Sequence, residues 1–193
     1  MGLALCYRAG LQVLTLTVLL LCGEFCVSGQ QGQTLDGRTI DLAKEAAGKP
    51  FALVFIRSDC PISNRYAPAI QELQQHYQGR IAFWLVYADR DETPSTIQDH
   101  LHRYGYSIPA LRDPQQVLVK LSGARVTPEA AVFSPEGALI YHGRIDNWYE
   151  SFGHARHAPT THELRDALNA VLAGKVPSVT TARAVGCYLS DLR

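Results

Sequence analysis

The amino-acid sequence predicts an α/β fold in which helices cover both faces of a mixed central sheet. Two nearly continuous apolar runs, FALVFIR at residues 51–57 and IAFWLVY at residues 81–87, are typical of strands buried on both faces. Helical patterns follow both runs, and residues 130–145 have the pattern of an antiparallel hairpin. Strands that alternate with helices and then end in a hairpin indicate a sheet with both parallel and antiparallel neighbours.

The first half of the chain predicts a hairpin and a long helix around these strands. Residues 34–42 (TLDGRTIDL) alternate around Asp36-Gly37, which predicts the hairpin. From Pro61 to about Gln78, apolar residues recur at spacings of three and four, which predicts an amphipathic helix with Pro61 in its first turn. The apolar face of this helix comprises Ile62, Tyr66, Ile70, Leu73 and Tyr77.

The second half of the chain contains three further helix starts. Thr93-Pro94 predicts the cap and first turn of a helix that runs to about Tyr104, and Asp113-Pro114 opens a shorter one. Thr160 and Glu163 match a capping box, which predicts the start of the last helix there. The core face of this last helix comprises Leu164, Leu168, Val171 and Leu172.

Residues 1–29 have the organisation of a secretory signal peptide. Arg8 provides a positive charge, residues 11–22 form an apolar core, and Val27-Ser28-Gly29 offers small residues before a cleavage site at Gln30. The apolar core is too short to span a bilayer unaided. We therefore expect an exported protein, periplasmic or secreted after cleavage, with no permanent membrane span; an uncleaved N-terminal anchor is the alternative.

The mature chain is expected to form one domain over residues 30–173, followed by a C-terminal tail over residues 174–193 that has little periodicity. The chain carries 18 basic and 18 acidic side chains without a basic block, which argues against a nucleic-acid partner. Three of the five cysteines lie in the predicted signal peptide, so the mature protein keeps Cys60 and, in the tail, Cys187. An exported compartment permits disulfides, but two cysteines alone do not establish a pair.

Cys60 lies where a buried strand ends and a helix begins. The free amide N–H groups of a helix N-terminus favour negative charge there, so a lowered thiol pKa and a reactive thiolate are expected. Arg57 or Arg65 would lower the pKa of Cys60 further if either side chain points at the sulfur, whereas the carboxylate of Asp59 would raise it. The hydroxyl of Ser63 is able to donate a hydrogen bond to the thiolate.

The stretch FIRSDCPISNRYAPAIQEL, residues 55–73, resembles the active-site strand, turn and helix of the thioredoxin-like superfamily. It is most similar to the redoxin branch, of the alkyl hydroperoxide reductase–thiol-specific antioxidant (AhpC/TSA) type. Cys60 matches the first cysteine of the family's C-x-x-C motif, Pro61 follows it, and Ser63 stands in place of the second cysteine. Pro68 lies five residues beyond Ser63, where the family has a helix-bending proline. The resemblance implies a thioredoxin-like fold, thiol chemistry at Cys60 and no cofactor.

A second segment, RVTPEAAVF at residues 125–133, resembles the family's cis-proline segment, with Thr127-Pro128 as the matching pair. In the family this turn lies beside the attacking sulfur. The resemblance therefore implies a substrate groove at Thr127-Pro128, where backbone groups pair with an extended peptide. With the hairpin sequence at residues 135–145, the resemblance spans residues 33–173.

Replacement of the second cysteine by Ser63 leaves three chemistries for Cys60. It can exchange disulfides as a single thiol that a second molecule resolves, react with peroxide to a sulfenic acid, or pair with Cys187 as the resolving thiol. Peroxiredoxins resemble one another in a P-x-x-x-T-x-x-C motif, but this chain has Leu53 and Arg57 at the proline and threonine positions. This difference favours disulfide exchange over peroxide chemistry.

The sequence thus favours an exported thiol–disulfide oxidoreductase that acts on protein or small-molecule disulfides or peroxides, with a thiol reductant or redox partner protein. One alternative is a peroxiredoxin-like thiol peroxidase with Cys187 as the resolving cysteine. The other is a redox-inactive binding module that docks partners through the Thr127-Pro128 groove and residues 146–160. This aromatic-rich loop is either a binding element or a cap on the sheet edge. Four histidines lie in or near this loop, and we expect them to be exposed loop residues rather than a metal site; these are His142, His154, His157 and His162.

Overall fold

The computed structural model of the protein describes residues 30–189. In chain order its elements are β1 (Gln31–Thr34), β2 (Thr39–Asp41), α1 (Leu42–Glu45), β3 (Phe51–Ile56), α2 (Pro61–His76), β4 (Ala82–Tyr87), α3 (Pro94–Arg103), β5 (Ala110–Arg112), α4 (Val117–Ser122), β6 (Val126–Thr127), β7 (Glu129–Phe133), β8 (Leu139–Gly143), β9 (Tyr149–Ser151), β10 (His154–Ala155), α5 (Glu163–Leu172), β11 (Thr181–Ala182) and β12 (Cys187–Tyr188). The predicted signal peptide lies outside the described residues. Between residues 30 and 189 there is no helix with the length and apolar character that a bilayer span requires.

The central sheet is mixed, as the sequence predicts. Among the described residues its strands lie in the order β11-β8-β7-β3-β4-β5-β1-β2. Strand β3 pairs parallel with β4 and antiparallel with β7, and β4 pairs parallel with β5. The hairpins β1–β2 and β7–β8 form the antiparallel parts. The sheet therefore places the carboxyl end of β3, where Cys60 follows, next to the amino end of β7.

Strand β3 is buried on both faces, which explains its continuous apolar sequence. Its alternate residues Ala52, Val54 and Ile56 belong to a core cluster that includes apolar residues of α2, α3 and α5. The intervening residues belong to a second cluster, on the other face, which includes residues of α1 and α4. Helices thus cover both faces, and β3 is held from either side.

Two predicted helix starts are wrong by a few residues, for different reasons. The shorter helix, α4, begins at Val117 and not at Asp113-Pro114; the Asp113 carboxylate nevertheless satisfies its first turn, because it accepts the N–H groups of Val117 at 2.8 Å and Val119 at 3.0 Å. Thr160 and Glu163 do not form a capping box, because α5 begins only at Glu163 and its N-cap residue makes no side-chain cap bond. The Glu163 carboxylate is instead paired with the guanidinium of Arg144.

The tail is more ordered than its sequence pattern indicates. Beyond residue 173, strand β11 pairs parallel with β8, and strand β12 pairs antiparallel with β6. Gly143 in β8 allows β11 to approach closely, because a Cβ atom at this position would lie only 2.1 Å from the carbonyl oxygen of Ala182. The tail therefore runs back over the domain toward the turn that carries Cys60.

The aromatic centre of the second cluster gives a stability prediction. Phe51 is fully buried, stacks on Phe133 with ring centroids 4.9 Å apart, and meets the edge of Trp84. We expect Phe51→Ala to lower the free energy of unfolding by about 3–5 kcal/mol, because it removes buried apolar area and leaves a cavity. Phe152→Ala is the matched control, since that ring is 67% exposed. Equal urea midpoints for the two variants would contradict the assignment of Phe51 to the core.

Candidate active site

Cys60 is the N-cap residue of α2, at the turn that joins the end of β3 to this helix. Its extended backbone directs the sulfur to the first helical turn, where the backbone N–H of Ser63 donates to Sγ at 3.5 Å. Pro61 occupies the first helical position, which has no intrahelical partner for an N–H group. The side chain of Cys60 is 0% exposed. The strand end and the helix start thus fix the thiol in a buried position with amide donors.

The Thr127-Pro128 peptide bond is cis, as the resemblance implies, and it lies next to Cys60. The protonated Cys60 thiol donates to the backbone carbonyl oxygen of Thr127, with the sulfur and oxygen 3.1 Å apart. Strand β6 ends at Thr127 and β7, which pairs with β3, begins directly after Pro128. The central sheet therefore brings these two segments together although 67 residues separate them.

The tail places Cys187 at the same site. In the β12–β6 pair, Cys187 lies opposite Thr127 and Tyr188 lies opposite Val126. This pairing brings the Cys187 thiol within reach of the sulfur of Cys60, and both cysteines are free thiols. Gly186 allows this approach, because a Cβ atom on it would lie 2.1 Å from the carbonyl oxygen of Thr127.

The two thiols have opposite pKa shifts. Burial raises the pKa of Cys60, but hydrogen bonds from the Cys187 thiol, from Ser63 and from the side chain of Thr127 outweigh it, so the pKa lies below its ordinary value. Burial, the hydrogen bond to Cys60 and the negative charge on Cys60 raise the pKa of Cys187 to about 12. Cys60 is therefore the thiol of the pair that loses its proton more readily, and Cys187 is the one that keeps it.

Ser63 occupies the position of the second cysteine in the C-x-x-C motif. It is fully buried, and its hydroxyl makes no hydrogen bond within residues 30–189. Its backbone N–H donates to the Cys60 sulfur and helps to lower the pKa of that thiol. Ser63 thus stabilises the thiolate but supplies no second sulfur.

The three charged candidates for tuning the Cys60 pKa have other partners. The Arg57 guanidinium pairs with Asp59 at 3.0 Å and Asp89 at 3.3 Å, and donates to the carbonyl oxygen of Tyr188 at 3.3 Å. Arg57 lowers the pKa of Cys187 and Asp59 raises it. The guanidinium of Arg65 lies over the ring of Trp148, 5.3 Å from its centre.

A buried polar network lies behind the turn, and the sequence did not predict it. The Asn64 side chain donates to the carbonyl oxygen of Ser58 at 3.0 Å and accepts from His100 Nε2 at 2.8 Å, while Tyr87 donates to His100 Nδ1 at 2.7 Å. Burial lowers the pKa of His100 to about 4, so the ring is neutral and fits these bonds. Glu92 accepts the backbone N–H of Ser58 at 2.7 Å. Only Asn64, one helical turn after Cys60, has a sequence position that could have indicated the network.

Residues 146–160 pack against α2 and contain a short antiparallel ribbon, β9–β10, where the sequence indicates a loop. Trp148 meets the ring of Tyr66 edge-on at 5.3 Å, and Tyr66 donates to Asp146 at 2.5 Å. Phe152 remains exposed. Part of this segment is therefore a cap, and its exposed side borders a cleft of about 1250 Å³ that the tail also lines. In the part of the chain that the structure describes, three or more potential metal ligands nowhere converge.

Known proteins share this fold. A hypothetical protein from Sinorhizobium meliloti 1021 is 25% identical, with a TM-score of 0.69, over 83% of this chain and 89% of that chain. The exposed lipoprotein thioredoxin of Streptococcus pneumoniae strain TIGR4 is 20% identical, with a TM-score of 0.54, over 76% of this chain and 98% of that chain. The fold is therefore thioredoxin-like.

A curated relative has a related sequence. The thiol-disulfide oxidoreductase ResA of Halalkalibacterium halodurans is 26% identical over 108 residues, which are 56% of this chain. The match spans 60% of the length of that relative.

The family model that describes redoxins matches residues 27–149. This range contains Cys60, Ser63 and the cis Thr127-Pro128 bond, and it ends before the tail that carries Cys187. The match covers more than half of the chain, and together with the thioredoxin-like fold it shows that this chain belongs to the redoxin family.

Proposed function

We propose that this chain is an exported thiol–disulfide oxidoreductase in which Cys60 attacks disulfides and Cys187 resolves the mixed disulfide. The position of Cys187 carries the proposal: it lies opposite Thr127, whose carbonyl oxygen is 3.1 Å from the Cys60 sulfur, and so brings a second sulfur to the buried thiol. The similarity to an oxidoreductase of the ResA type supports the reaction class. The signal-like pattern of residues 1–29 supports export.

The cycle consists of two exchange steps. The Cys60 thiolate attacks one sulfur of a substrate disulfide, forms a mixed disulfide with it, and releases the other sulfur as a thiolate. Cys187 then loses its proton to that thiolate or to solvent and attacks the Cys60 sulfur. This step forms a Cys60–Cys187 disulfide and releases the second substrate thiolate. Two electrons pass to the substrate, and an external dithiol reductant returns the pair to its thiol form.

The electrostatics of the pair suit this order of events. While Cys60 is a thiolate, its charge and its hydrogen bond keep the Cys187 proton in place. Once Cys60 is part of a mixed disulfide, that negative charge is gone and the pKa of Cys187 falls. Cys187 therefore becomes a nucleophile only after the first step. This two-thiol cycle replaces the single-thiol hypothesis that the absence of a second cysteine at position 63 suggests.

No contact at the site favours the peroxidase alternative over disulfide exchange. Arg57 takes the place of the threonine in the peroxiredoxin motif, and its guanidinium is engaged by Asp59, Asp89 and the tail carbonyl of Tyr188. Peroxide consumption by the purified protein measures this alternative directly. A Cys60 that resists alkylation near neutral pH in the reduced protein would instead support a redox-inactive binding module.

Removal of the resolving thiol should trap the intermediate. With oxidised glutathione, we expect Cys187→Ser to keep one glutathione on Cys60, whereas the wild type releases it and forms the Cys60–Cys187 disulfide. Cys60→Ser should release no glutathione thiol, because the attacking sulfur is missing. Intact-protein mass spectrometry distinguishes these states. Equal amounts of mixed disulfide in the wild type and in Cys187→Ser would refute the assignment of Cys187.

The pH dependence of Cys60 reactivity tests the hydrogen bond between the thiols. The rate of alkylation by iodoacetamide follows the thiolate fraction, so it should be half-maximal at a pH below the ordinary pKa of cysteine. Cys187→Ala removes a donor to the thiolate and should move this midpoint upward. The measurement is peptide mapping of Cys60 over a pH series. An unchanged midpoint in Cys187→Ala would show that Cys187 does not stabilise the thiolate.

A further inference from the structure

The edge of strand β6 is occupied by the chain's own tail. Cys187 and Tyr188 pair antiparallel with Thr127 and Val126, and the backbone N–H of Leu189 donates to the carbonyl oxygen of Arg125 at 3.0 Å. Backbone hydrogen bonds of this kind do not depend on side chains. The same edge is therefore able to pair with another extended segment once the tail has left it.

The register of this pair determines which residue meets the nucleophile. The carbonyl oxygen of Thr127 lies 3.1 Å from the Cys60 sulfur. A residue opposite Thr127 on an antiparallel strand therefore lies beside that sulfur, and in this structure the residue is Cys187. A half-cystine of another protein in this register would occupy the same place.

The tail also closes the site. The Cys60 side chain is 0% exposed, while Val185 and Cys187 pack against the core cluster that contains it. A disulfide within a polypeptide is too large to reach a buried sulfur without displacing the element that covers it. The tail strand and a polypeptide substrate therefore exclude each other.

The contacts that hold residues 185–189 are local, whereas the preceding strand has its own attachment. Leu189 is 4% exposed and packs in the second core cluster, Gly186 lies close to the Thr127 carbonyl, and Arg57 donates to the carbonyl of Tyr188. The Tyr188 side chain is 77% exposed and contributes little to this attachment. Strand β11 pairs separately with β8, so the end of the tail is able to leave while β11 stays bound.

The structure assigns to residues 185–189 the role of a displaceable plug that competes with polypeptide substrates for the edge of β6. A substrate displaces it with an extended segment whose half-cystine follows a glycine, since a side chain at the place of Gly186 would collide with the Thr127 carbonyl. The assignment rests on Cys60 being the attacking thiol of the proposed function. Substrate and Cys187 then occupy one place in turn: the substrate segment binds and reacts, then leaves the edge of β6 while its sulfur stays bonded to Cys60, and the returning tail resolves the mixed disulfide.

The test compares variants of the mature chain that keep both cysteines. The probe is a peptide of residues 183–189, RAVGCYL, oxidised to its disulfide-linked dimer. Leu189→Ala removes the buried anchor of the plug, and Gly186→Ala forces it away from Thr127. We expect both variants to form the mixed disulfide with this peptide about ten-fold faster or more, because they populate the open site. Tyr188→Ala, with its exposed side chain, is the matched control and should react like the wild type.

A second peptide tests the glycine requirement. This second peptide is the same disulfide-linked dimer with alanine in place of its glycine. It should react more slowly than the glycine peptide with every protein variant. Equal rates for Leu189→Ala, Gly186→Ala and Tyr188→Ala would overturn the plug, and equal rates for the two peptides would overturn the glycine requirement. Failure of the proposed function looks different: Cys60 would then not react with oxidised glutathione in any variant.

Discussion

The backbone carbonyl of Thr127 is the fixed point on which the site depends. It accepts the Cys60 thiol, and its strand pairs with the tail residue Cys187. The carbonyl is held because β7 follows directly and pairs with the fully buried strand β3, which ends just before Cys60. One sheet thus sets the positions of both the nucleophile and the edge against which a second sulfur is placed.

The pKa of Cys60 is lowered and the pKa of Cys187 is raised, and burial alone does not explain this difference. Burial disfavours both thiolates, so the difference comes from hydrogen bonds. Cys60 receives them from the first turn of α2, from the side chain of Thr127 and from Cys187, whereas Cys187 acts as a donor. The backbone N–H of Ser63 adds to the stabilisation of the Cys60 thiolate, and its side chain offers no competing thiol.

The half of the site that depends on local sequence could be predicted. The turn at Cys60 and the segment at Thr127-Pro128 are marked by apolar strands, prolines and spacing, which act over a few residues. The position of Cys187 could not be predicted, because β12 has two residues, no periodicity and a partner 60 positions away. The capping box failed for a similar reason: Glu163 has a distant partner, Arg144, and local pattern does not report such pairs.

The tight contact between Gly143 and Ala182 has a further consequence for reactivity. It holds the chain at Ala182, and Cys187 follows only five residues later. An extended segment of this length reaches at most about 17 Å, so a released Cys187 stays close to the site. Short tethers of this kind give effective concentrations of about millimolar or more. The Cys187 sulfur thus stays at a high local concentration near Cys60, and external thiols at lower concentration compete poorly with it for the mixed disulfide.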